Sequence, residues 1–195
     1  MNKFYNILIH KILNEIIPKT KKSISKGNKI FGAAILKKKD LSTIVIGTNN
    51  EIINPLLHGE MSAIIEFFEL SKNKKINPRD YIFLSSHEPC SLCLSAITWS
   101  GFDNFYYFFP YTHTKNKFNI PHDLNILKEV FKINNGKYNK KNFYWQSHSL
   151  LENINKNKIE EKNKINLFVK KIYLEYEKLS NIYQKNKKTN NIILK

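Results

Sequence analysis

His58-Gly59-Glu60, followed further along by Pro89-Cys90-Ser91-Leu92-Cys93, restricts this chain more than any other feature. A neutral imidazole and two thiolates are the ligands zinc prefers. Three protein ligands leave the fourth tetrahedral position open to water, as catalytic rather than structural sites do. The fold must therefore bring two distant segments together. Cys90 and Cys93 are three apart, so on a helix they share a face. Pro89 suits the first turn of that helix, where its missing N–H costs nothing. Both sulfurs then lie at a helix N-terminus, whose dipole favours thiolate. His58 opens the apolar run Met61 to Leu70 and is expected at a second helix start. Two helix N-termini converging on a cation become electrostatically reasonable once two thiolates and a hydroxide are counted. Glu60, two residues past the His, is placed to move protons beside the metal without binding it. A structural zinc site is the competing reading, but the chain has no third Cys to close it.

The pattern His-x-Glu with Pro-Cys-x-x-Cys resembles the signature of the zinc-dependent cytidine and deoxycytidylate deaminase superfamily. Other phrases extend the likeness across residues 28 to 131. Ile30-Phe31-Gly32-Ala33 is similar to the Pro-Phe-Gly-Ala of nucleobase deaminases. Gly47-Thr48-Asn49 with Asn54-Pro55 resembles the Gly-x-Asn and Asp-Pro that lead to the zinc His. Ser86-His87-Glu88-Pro89-Cys90 resembles the second ligand segment, and Trp99 stands as in guanine deaminases. Position 59 is Gly where many relatives have Ala, and the loop from Asn49 to Asn54 is shorter than in bacterial tRNA adenosine deaminases.

The resemblance implies an α/β fold, a three-layer α/β/α sandwich with a mixed sheet, here with a long C-terminal helix. It implies hydrolytic deamination of an amino-substituted nucleobase or nucleoside of guanine or cytosine type, with zinc held by His58, Cys90 and Cys93. Glu60 would carry the proton from water to the ring nitrogen and then to departing ammonia. Asn49, or Asn50 beside it, would hold the base or its sugar. Phe31 and Trp99 would stack on the base or pack in the core. The Ser85 or Ser86 carbonyl would accept from the leaving amino group. Two alternatives stay open: a tRNA adenosine-to-inosine deaminase, and a non-catalytic zinc-stabilised partner subunit. Intact Glu60 argues against the second. The superfamily also implies a homodimer.

Composition bounds the rest. Of 32 Lys and Arg only Arg79 is Arg, within a net charge of +16. Arg is the preferred residue for bidentate phosphate and base recognition, so this Lys-rich charge is weak grounds for specific nucleic-acid binding. Two Cys, both in the motif, fit a reduced compartment rather than a disulfide framework. The Phe4–Ile9 stretch is too short for a membrane span, so a cytoplasmic protein is expected, with organelle targeting left open. His87, His113, His122 and His148 are spare, and His113 and Asp123 are candidate pocket residues.

Helical periodicity predicts a helix over 4–17 closed by Pro18, then a basic loop over 19–29. Strands are expected at 30–37 and 43–47, a helix from His58 to Leu70, a strand at 81–84 and a helix over 90–100. An aromatic strand at 104–111 and a helix over 123–131 complete a deaminase domain at 1–155. Residues 156–195 read as a Lys-rich helical extension. Its apolar stripe of Ile165, Phe168, Ile172, Tyr176, Leu179 and Tyr183 docks on the core or on a second subunit. Residues 190–195 are expected to fray.

Overall fold

Short apolar runs buried on both faces build the middle of the sheet. In a computed structural model, which describes residues 2–72, 74–156 and 159–195, five strands run in the order β2-β1-β3-β4-β5. They are β1 (Gly32–Lys37), β2 (Thr43–Thr48), β3 (Tyr81–His87), β4 (Asn104–Phe109) and β5 (Gln146–Ser149). β1 lies antiparallel to β2 and β3, whereas β3, β4 and β5 are parallel. The helices are α1 (Asn2–Lys11), α2 (Ile17–Ile24), α3 (Gly59–Leu70), α4 (Ser91–Trp99), α5 (Tyr111–Phe118), α6 (His122–Glu129), α7 (Leu150–Asn155) and α8 (Ile159–Asn186).

Alternation splits the core into two layers. Ala33 and Ile35 of β1, Phe83 of β3 and Phe105 and Tyr107 of β4 pack on Ala63, Ile64 and Phe67 of α3 and Ile97 of α4. Their neighbours Ala34, Leu36, Ile82, Leu84 and Phe108 face the opposite side. There they meet Leu8, Ile9, Ile12 and Ile16 and the α8 residues Ile165, Ile172, Tyr176, Leu179 and Tyr183. Successive strand residues point to opposite faces, so one sheet buries both layers. The three-layer sandwich with a mixed sheet and a C-terminal helix is therefore as expected. The stripe on α8 is buried within its own chain, and Phe168 packs against the same cluster.

Several local expectations are corrected. Pro18 does not close the first helix. Ile12–Ile16 forms a π turn, and Pro18 falls in the first turn of α2, where no intrahelical donor is needed. The helical path thus continues to Ile24, over half of the expected basic loop. Cys90, rather than Pro89, caps α4, so Pro89 precedes the helix. α5, β5 and α7 were not expected. Residues 190–195 pack back on the domain: Asn190 Nδ2 donates to the Gly27 carbonyl at 3.0 Å, and Ile192 is buried.

Candidate active site

His58 is the N-cap of α3 and Cys90 the N-cap of α4. Both helices start at the end of the sheet where β3 finishes, so their first turns face each other. His58 Nδ1 lies 3.4 Å from Cys90 Sγ and 3.7 Å from Cys93 Sγ, and the sulfurs are 3.6 Å apart. A tetrahedral zinc with bonds of about 2.0–2.3 Å needs ligand–ligand edges of about 3.5–3.8 Å. The triangle fits, and among the described residues these three are the group placed to hold a metal ion.

Glu60, in the first turn of α3, is buried beside this triangle. Its Oε1 accepts from Ser85 Oγ at 2.6 Å and its Oε2 lies 3.4 Å from Cys93 Sγ. Burial, then the neighbouring Cys90 thiolate, raises its pKa. The hydrogen bond from the Cys93 thiol, reinforced by His58, holds Cys90 well below the ordinary thiol value against the cost of burial. Burial pushes Cys93 well above it. Burial disfavours the His58 cation, but the Cys90 hydrogen bond and charge outweigh it and lift His58 to about 9. Metal ligands must be deprotonated, so zinc loading would displace these protons.

The other expected contacts divide. Phe31 lines the cavity at the triangle, edge-on to His87 at 4.7 Å. Asn49 is fully buried, and both ends of its amide are engaged: Oδ1 accepts from Gly59 N at 2.7 Å and Nδ2 donates to Glu51 Oε2 at 2.8 Å. Ser86 Oγ accepts from Gly32 N at 3.0 Å. Trp99, at the far end of α4, is 91% exposed and does not line the cavity. His113 stacks on Phe109, whereas Asp123 lines the cavity, and burial drives its carboxyl well above the usual range.

Sequence reasoning missed three contributors. Glu88 accepts from Tyr111 N at 3.1 Å and Tyr138 Oη at 2.9 Å, and Tyr111 Oη donates to the Pro89 carbonyl, which fixes the Cys90 segment. Lys29 and Glu51 form a buried ion pair at 2.7 Å beside His58. Residues 192–194 form one wall of the cavity.

The family model described as the cytidine and deoxycytidylate deaminase zinc-binding region matches residues 8–109. The chain belongs to this deaminase family. A tRNA-specific adenosine deaminase of Rickettsia typhi is 30% identical over 97 residues, covering 49% of this chain and 64% of that relative. The chain thus matches less than two thirds of that relative's length. The solved guanine deaminase of Nitrosomonas europaea superposes with a TM-score of 0.51 at 15% identity, over 80% of this chain and 81% of its own. A structure in complex with 2,6-diaminopurine superposes with a TM-score of 0.53 at 14% identity, over 96% and 85% of the two chains. At such identities these two neighbours show a shared deaminase fold.

Proposed function

We propose that this deaminase hydrolyses the exocyclic amino group of a small nucleobase or nucleoside, of guanine or cytosine type, at a zinc held by His58, Cys90 and Cys93. The supporting observation is the shape of the cavity beside the triangle. It measures about 380 Å³ and is walled by Phe31, His58, Cys90 and Asp123 together with Ile192, Ile193 and Leu194. That volume lies near the lower end for small-molecule sites. A cavity of this size, with Ile192, Ile193 and Leu194 along one wall, suits a single base or nucleoside.

Bound zinc supplies Lewis acidity that makes water a nucleophile near neutral pH. With zinc held there, Glu60, its Oε1 held by Ser85, would serve as the proton carrier, taking a proton from the attacking water, giving one to the ring nitrogen and one to the departing amine, so that water and the aminated base would become the keto base and ammonia. Phe31 offers an aromatic face or edge to the ring, and the Asp123 carboxyl offers a partner to ring or exocyclic N–H groups. Asn49 supports the start of α3 through Gly59 N; a part in holding substrate requires it to exchange one of its two present partners.

The relative from Rickettsia typhi favours a second reading, a tRNA adenosine deaminase. Ammonia release from guanine, cytosine, adenine, their nucleosides and an anticodon stem-loop separates the two. Release from one small substrate, unchanged by salt and lowered at least about 100-fold in Glu60→Gln, is the expected result. Release from the stem-loop alone, falling steeply with salt, would replace it with the tRNA reading.

A further inference from the structure

We infer that Glu51 is a positioning residue for the metal ligand His58, locked in place by Lys29 and Asn49. The inference rests on zinc being held by His58, Cys90 and Cys93. An imidazole that ligates through one ring nitrogen presents the other as an N–H donor, and a carboxylate facing that N–H fixes both tautomer and ring orientation. Here Nδ1 faces the sulfurs. Nε2 lies on the other side of the ring, 3.8 Å from Glu51 Oε1, an ion-pair distance rather than a hydrogen bond.

Glu51 is not a passing surface carboxylate. Its side chain is 3% exposed. Oε1 takes Lys29 Nζ at 2.7 Å, from the segment entering β1, and Oε2 takes Asn49 Nδ2 at 2.8 Å. Asn49 Oδ1 in turn accepts from Gly59 N, the residue after His58. Hydrogen bonds thus run from Gly59 through Asn49 to Glu51, whose Oε1 comes back to within 3.8 Å of His58 Nε2. Asn50 N also donates to the Leu57 carbonyl at 2.7 Å, drawing the two ends of the 50–57 loop together. Burying a carboxylate and an ammonium is unfavourable unless each is paired, so a pair maintained beside a metal ligand calls for a role. The role this geometry offers is to aim Nδ1.

Zinc affinity tests this apart from catalysis. Competition with a chromophoric chelator gives the zinc dissociation constant, and cobalt substitution gives a d–d spectrum that reports ligand geometry. The double variant Lys29→Met with Glu51→Met removes the pair without stranding one charge. It should melt cooperatively when zinc-saturated, bind zinc about 10–100-fold more weakly and show an altered cobalt spectrum. Glu51→Gln, almost equal in volume and still carrying an acceptor oxygen, should lose less; it also serves if the double variant folds poorly. Zinc affinity within about twofold of the parent in both variants, with unchanged cobalt spectra, would overturn the inference. A parent protein that holds no stoichiometric zinc would instead overturn the metal-site reading on which it rests.

Discussion

At the residue scale, glycines set how closely α3 can approach the sheet and hence where His58 and Glu60 sit. A Cβ on Gly47 of β2 would lie 2.2 Å from the Gly59 carbonyl and 2.3 Å from Ala63 N. These are backbone atoms and cannot swing away. A Cβ on Gly59 would lie 2.9 Å from Gly32 Cα and 3.0 Å from the Phe31 carbonyl. Gly59 therefore stands where the backbone entering β1 leaves no room for a Cβ. Gly59→Ala should destabilise the protein by about 1–3 kcal/mol, the usual cost of overpacking, and lower turnover by displacing His58 and Glu60 together. Urea denaturation and steady-state assay check both, and a variant equal to the parent in each would refute the tight approach. The meeting of His58, Cys90 and Cys93 with Glu60 beside them was legible because zinc chemistry demands particular side chains at particular spacings. Glu51 was not, because a carboxylate in a polar loop looks like any solvated charge until the loop folds beneath His58.

At the element scale, α8 separates what periodicity can and cannot reveal. Its stripe at steps of three and four was plain in the sequence, but its partner was not, since an amphipathic face says only that something covers it. The partner is the chain's own N-terminal helical segment and sheet, so α8 is part of the domain core. Ile172→Ala, at a fully buried position, should cost about 2–5 kcal/mol. Leu174→Ala, 56% exposed on the same helix, should stay within about 0.5 kcal/mol of the parent. Equal effects in chemical denaturation would contradict this docking. By the same reasoning, a chain cut after residue 156 should lose its cooperative fold rather than retain an active core. Two of the three elements missed in the sequence share a cause. β5 (Gln-Ser-His-Ser) and α5, whose 111–118 run is mostly polar, carry too little apolar pattern. Pro18 misled because a π turn relieves the constraint that usually ends a helix at proline.

At the scale of the whole molecule, five segments meet at one buried histidine. His87, at the end of β3, packs against Phe31, against Phe109 of β4, Phe118 of α5 and Tyr176 of α8. Gly32 N donates to Ser86 Oγ, which leaves the Ser86 hydroxyl proton free for His87 Nδ1, 2.9 Å away. The imidazole is then neutral, with its proton on Nε2, and that atom is buried with no partner among the described residues. Burial, helped by the proximity of His113, pushes its pKa well below the usual value. The sign of the consequence follows from linkage. An unfolded His titrates near about 6.5, so below that the unfolded chain binds a proton that the folded chain refuses. The stability contributed by neutral His87 is complete above this range and is lost as pH falls through it. Melting temperature should therefore drop between about pH 7.5 and about pH 5.5, and His87→Phe should shrink that drop by removing the titrating group. Carboxylates near the surface titrate lower and belong to both proteins, so they cancel in the comparison. An identical drop in both would mean that acid enters the fold elsewhere and that this junction does not govern it.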